Sequence, residues 1–263
     1  MTNPMPNLLR PSAIIARYTL LEALRNRLIW LLALAALAGI GLSGFLNELA
    51  LTESREVQAA LLAALLRLAG VFLIATFVVT SLVREANDKG LDMLLALPIP
   101  RAAYLLGKLA GFGALALLPA LLFGALLLFV APPAQGALWA ASLLCELWIV
   151  AAFSLLCALS LHQAMPALAA VGGFYLLARS TGALQLLGHG AQGDSTSVSQ
   201  QVIAAGIDLI AALLPRLDQF TRTDWLLYHS GDPHALLAIL AQSAIYIALL
   251  TTAALFDLYR KNI

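Results

Sequence analysis

Residues 59–83 read AALLAALLRLAGVFLIATFVVTSLV, an apolar run broken by a single charge, Arg67. The chain then changes character at once, to Arg84-Glu85-Ala86-Asn87-Asp88-Lys89-Gly90. About 20 apolar residues in helical form cross the roughly 30 Å hydrocarbon core of a bilayer, and this run is long enough to do so. Five more runs of that kind follow the same pattern: Leu28–Leu46, Leu109–Ala131, Leu138–Leu161, Ala164–Leu187 and Ala235–Phe256. Backbone polar groups in lipid must be satisfied within the segment itself, so runs of this length read as helices. The expected fold is therefore an all-α integral membrane protein with six transmembrane helices, one domain over residues 1–263. Composition agrees. Of 263 residues 62% are hydrophobic and 11% charged, against roughly a quarter charged in soluble domains. The spans use up the chain and leave no room for a soluble catalytic domain.

The first run begins near residue 28 and is too long for the apolar core of a signal peptide, so it reads as a span. The basic residues orient the set. Arg10, Arg17, Arg25, Arg27, Arg84, Lys89, Arg101, Lys108, Arg260 and Lys261 share one side under a six-helix count. Arg55, Arg216 and Arg222 take the other, and Arg67 and Arg179 fall inside spans. Ten against three puts both termini in the cytoplasm. A net charge of +1 argues against a nucleic-acid partner. Cys145 and Cys157 share the fourth span, about 18 Å apart along a helix, and read as small buried hydrophobes.

Three segments between spans carry information. In residues 12–27, Ile14, Tyr18, Leu21 and Leu24 recur at helical spacing, interleaved with Arg17, Glu22, Arg25 and Arg27. This predicts an interfacial helix on the cytoplasmic membrane face, with Ser12 as its N-cap and residues 1–11 outside it. A helix that simply prolongs the first span is the alternative. In residues 84–108, Leu91-Asp92-Met93-Leu94-Leu95-Ala96-Leu97 is apolar but too short to span, and Pro98 and Pro100 stop it. Such a helix needs either a partner or the membrane interface to cover it. Residues 188–234 form the longest outer loop. Within it Ser199–Leu214 has an apolar face, is interrupted by Asp208, and is expected to stay outside the membrane.

No phosphate-binding Gly-x-x-x-x-Gly-Lys-Ser/Thr loop, Gly-x-Ser-x-Gly or His-Glu-x-x-His occurs, so no catalytic site and no cofactor of its own are expected. Ser154, Ser160 and His162 read as polar groups near a helix end. His189, His229, Asp232 and His234 fit no usual ligand spacing, and no metal is expected. Arg67, Glu146 and Arg179 lie at comparable depth inside spans, where ionisable groups face a bundle interior or an aqueous path. The expectation is that Glu146 pairs with Arg67 or Arg179 near the outer end of a translocation path. A purely structural pair is the alternative.

The run Arg84-Glu85 … Gly90-Leu91-Asp92-Met93-Leu94-Leu95-Ala96-Leu97-Pro98-Ile99-Pro100-Arg101 … Gly107-Lys108 resembles the signature that follows the second helix of type-2 ABC transporter permeases. That signature usually reads Glu, Gly-Thr-Leu-Glu-x-Leu-Leu, Pro-x-x-Arg and Gly-Lys; here Leu91 stands for the Thr and Asp92 for the Glu. Arg17 … Glu22-Ala23-Leu24-Arg25-Asn26-Arg27 resembles the family's interfacial helix. Leu214-Pro215-Arg216-Leu217-Asp218-Gln219-Phe220 with Asp224-Trp225-Leu226 resembles the outer loop of the branch linked to multicopper-enzyme and nitrous-oxide-reductase maturation. The resemblance implies a permease subunit of the bacterial inner membrane that moves a substrate for envelope or metalloenzyme biogenesis. Its partners would be a second permease copy, as a homodimer, and separate ABC ATPase subunits that hold ATP and Mg. Membrane lipid surrounds it, and the 188–234 loop would be open to a periplasmic partner. Glu85, Gly90, Asp92, Leu94, Leu95, Pro98 and Arg101 would form the coupling segment on the ATPase. A secondary transporter or channel without ATPase, or a non-transporting membrane anchor, are the alternatives.

Overall fold

The computed structural model describes residues 9–49, 54–88, 100–190 and 198–260. Among these the chain is mostly helical, with no strand. In chain order the helices are α1 (Leu9–Arg25), α2 (Leu28–Leu49), α3 (Ser54–Asn87), α4 (Arg101–Leu127) and α5 (Pro133–Leu161). They continue with α6 (Ala164–Gly190), α7 (Val198–Leu213), the four-residue α8 (Asp224–Leu227) and α9 (Pro233–Arg260), with a 3-10 turn at Leu217–Gln219. Five of them, α3, α4, α5, α6 and α9, are long and apolar enough to cross a membrane. The pair α1–α2, bent by 57°, makes a sixth if counted as one broken span. The chain is thus a multi-pass helical membrane protein. Helix α7, with 16 residues, falls short of a span.

The helices outrun the apolar blocks, because charge ends a hydrophobic pattern before it ends a helix. Helix α3 carries on to Asn87, past Arg84 and Glu85, and Arg101–Lys108 form the first turns of α4 rather than an approach to it. Helix α1 departs from expectation too. Leu9, Arg10 and Pro11 are already helical, so Ser12 sits inside the first turn and not before it. Proline is tolerated there because the first N–H groups of a helix have no intrahelical acceptor.

Helix α5 is the central element, packed against α3, α4, α6 and α9. Phe112, Phe123, Trp139, Leu143, Leu147 and Ile149 fill the space around it, all fully buried. Peripheral helices keep large side chains outside: Leu34 and Leu37 on α2, Leu176 on α6 and Leu249 on α9 are exposed. This inversion of the soluble pattern suits a lipid surround. Tails as apolar as leucine give leucine no reason to turn inward, so close packing falls to small residues. The α1–α4 contact shows it. A Cβ on Gly107 would lie 2.8 Å from the Ser12 carbonyl oxygen, and one on Gly111 2.7 Å from Thr19 Cβ. Thr19 and Ala23 are buried on that side of α1, while Ile14, Tyr18, Leu21 and Leu24 stay exposed. Helix α4 also contains Pro119 inside its span, which removes the bond to the Leu115 carbonyl.

Candidate functional site: a buried ionic latch beneath segment 214–228

Glu146 lies on α5 with its side chain fully buried. A carboxylate cannot remain ionised in such a place without partners, and the fold brings several. Arg179 of α6 puts Nη1 3.8 Å from Glu146 Oε1. The Tyr175 hydroxyl, one turn earlier on α6, faces the same carboxylate. Thr221, from the segment between α7 and α8, donates its hydroxyl hydrogen to Glu146 Oε2 at 2.8 Å. Its backbone N–H donates to Ser142 Oγ at 2.9 Å. Ser142 precedes Glu146 by four residues and so shares its helix face.

The two arginines hold the same segment from the other side. Arg179 donates to the carbonyls of Leu217 and of Phe220, the latter at 2.8 Å, and reaches the Thr221 oxygen at 3.3 Å. Arg67 of α3 donates to the Thr221 carbonyl at 3.4 Å. One residue, Thr221, is thereby gripped from α3, α5 and α6. Its φ of 44° is left-handed, an outlier for a β-branched residue that survives only where surrounding contacts enforce it. Around it Leu217, Phe220, Trp225 and Leu226 are buried. Asp218 accepts from Thr181 of α6 at 3.4 Å. Segment 214–228 is thus an apolar plug with an ionic pin through it.

The three ionisable residues read from the sequence, Arg67, Glu146 and Arg179, therefore converge, and Arg179 is the nearer arginine to Glu146. Thr221, Ser142, Tyr175 and Asp218 were not singled out. Ser142 had a signal, its four-residue spacing from Glu146. Thr221 had none, since polar residues in a loop carry no period.

At the opposite end of α3, a second polar cluster ties α1, α3 and α4. Glu85 and Lys108 form an ion pair at 2.5 Å with side chains 17% and 8% exposed, and the Tyr104 hydroxyl faces Glu85. Arg84 donates to Glu22 of α1 at 2.6 Å, and Ser81 donates to the same oxygen at 3.0 Å. Arg101 donates to the Leu258 carbonyl at 2.9 Å and lies 6.0 Å from the Tyr259 ring centre. Of the coupling residues, Glu85 and Arg101 are at this end, whereas Gly90, Asp92, Leu94, Leu95 and Pro98 lie outside the described residues. Of the interfacial set, Arg17, Arg25 and Arg27 are exposed, and Glu22 is half-buried in its ion pair.

Ser160 donates to Asp257 of α9 at 3.1 Å, and His162 closes α5 in a left-handed conformation. Among the described residues no three metal-ligating side chains come together. No protein-family model matches the chain, and no curated protein does so significantly.

Proposed function

We propose that this chain is the membrane-spanning permease subunit of an ATP-driven ABC transporter, one of two copies carried by separate ATPase subunits that bind ATP and Mg. It would cross a bacterial inner membrane six times with both termini in the cytoplasm, and move a substrate for envelope or metalloenzyme biogenesis. The observation that carries this reading is the Glu85–Lys108 pair. It joins the stems of residues 84–108, the stretch that resembles a coupling segment, at the point where α3 and α4 meet. A force applied to that segment would enter two helices at once. Helix α3 runs without interruption from Glu85 to Arg67, so the same helix that leaves the clamp reaches the pinned plug. In this scheme residues 89–99 receive the motion of the ATPase pair, and release of segment 214–228 opens the outer end of the path between Arg67, Glu146 and Arg179.

The test is the double substitution Leu94→Asp/Leu95→Asp, co-expressed with the ATPase. Each leucine side chain buried in a partner groove contributes about 1.5–3 kcal/mol, so the variant should insert normally yet lose the ATPase on purification. Normal copurification and transport by the variant would overturn the coupling role. A wild-type chain that retains no ATPase and still transports would leave a secondary transporter or channel in its place.

A further inference from the structure

The elbow between α1 and α2 is polar on its inner side and greasy on its outer one. Its cavity of about 630 Å3 is lined by Tyr18, Leu21, Glu22, Arg25, Asn26 and Arg84. Asn26 lines the corner and accepts the Arg27 N–H at 2.7 Å. Glu22 is taken by Arg84 and Ser81. The guanidinium groups of Arg25 and Arg27 are exposed and have no acidic partner among the described residues. Three cations against one carboxylate leave the corner with two unmatched positive charges.

Beside those charges run Ile14, Tyr18, Leu21 and Leu24 on α1, and Trp30 at the start of α2, exposed at 79%. The face of α1 that meets protein is the other one, against Gly107 and Gly111, so this stripe has no covering among the described residues. Exposed tyrosine and tryptophan beside arginine is the signature of the headgroup level of a bilayer. The cavity therefore lies where phosphate groups are and the stripe where acyl chains begin.

We infer that the α1–α2 elbow is a binding site for an anionic phospholipid, its phosphate held between Arg25 and Arg84 and its upper acyl chain laid along Tyr18 and Leu21. A zwitterionic lipid brings an ammonium group into the same positive corner and is disfavoured. The site depends on membrane embedding alone, not on ATP-driven transport, so loss of the permease reading would leave it standing.

The experiment labels Tyr18→Cys with an environment-sensitive fluorophore in the full chain, Cys145 and Cys157 being buried. The labelled protein is placed in nanodiscs containing brominated phosphatidylglycerol or brominated phosphatidylcholine. Phosphatidylglycerol should quench more at equal mole fraction. In Arg25→Gln/Arg27→Gln, which breaks no side-chain hydrogen bond or ion pair among the described residues, that preference should drop roughly fivefold per arginine. Equal quenching by the two lipids would overturn the site, and so would an unchanged preference in the variant. Quenching by neither lipid would mean that protein covers the stripe, which also overturns it. Loss of the preference on adding inorganic phosphate at constant ionic strength would assign the corner to a free anion instead of a lipid.

Discussion

Two of the buried ion pairs in the bundle, Glu85–Lys108 and Glu146–Arg179, are built differently. Glu85–Lys108 is a short, direct contact between neighbouring helices, with both groups close enough to the surface to keep some hydration. Glu146–Arg179 is longer, at 3.8 Å, and its carboxylate is wholly buried. What the second pair lacks in closeness it gains in company: Thr221, Ser142, Arg67 and the carbonyls of Leu217 and Phe220 complete it. The first joins two helices that would meet anyway. The second recruits a segment whose own regular structure is a 3-10 turn and a four-residue helix. Directly bonded charges suit a fixed joint, whereas a set of individually modest bonds around one residue suits a closure.

The comparison can be broken most forcefully at Glu146. Glu146→Ala leaves Arg179 and Arg67 facing the segment with no anion between them, an uncompensated buried charge worth about 3–5 kcal/mol. Thermal unfolding of the purified protein should show a large loss of stability, and protease should cut within 214–228. Retention of wild-type stability would mean that the carboxylate does not pin the segment. The companion variant Glu146→Gln/Arg179→Met should recover little, since the Leu217 and Phe220 carbonyls would still lose their donor.

Lys108→Met should cost less, about 1–3 kcal/mol, because Glu85 is left single but within reach of water. Here the double variant Glu85→Gln/Lys108→Met should regain most of the loss, as expected of an isolated pair in a double-mutant cycle. Equal recovery at both sites would erase the distinction between them.

The smallest effect is the most diagnostic. Thr221→Gly and Thr221→Ala both remove the hydroxyl, but only glycine adopts a positive φ without strain. The glycine variant should be the more stable of the two by about 1 kcal/mol, the reverse of the usual order in ordered structure. Greater stability of the alanine variant would show that the backbone at 221 relaxes once its hydroxyl is gone.

The spans were legible because their signal is a run of residues, and a run survives any choice of face. Arg67, Glu146 and Arg179 were legible for the same reason, as interruptions. Faces were harder to read. The stripe Ile14–Tyr18–Leu21–Leu24 shares the exposed side of α1 with Arg17 and Arg25, while Ile15 and Leu20 pack toward the core from the other side. Here the core contact belongs to Thr19 and Ala23 against Gly107 and Gly111, since in lipid it is smallness rather than hydrophobicity that draws helices together. The four-residue spacing of those glycines was the available clue. Thr221 was hidden more completely, because its part comes from distant helices converging on one peptide.

Pro119 gives the two helices that leave the Glu85–Lys108 clamp unequal mechanics. Helix α3 has 34 residues and no proline; treated as a stiff rod, a tilt of about 5° about its Glu85 end carries Arg67, about 27 Å away along the helix, by about 2 Å. The Arg67 bond to Thr221, already 3.4 Å long, would fail well within that displacement. Helix α4 leaves the same clamp but has a joint at Pro119, so it can take up a bend partway along instead of passing it to its far end. A disturbance at the clamp would thus be levered through α3 to the plug and absorbed in α4. The molecule would have one pushrod and one elbowed strut sharing a single foot.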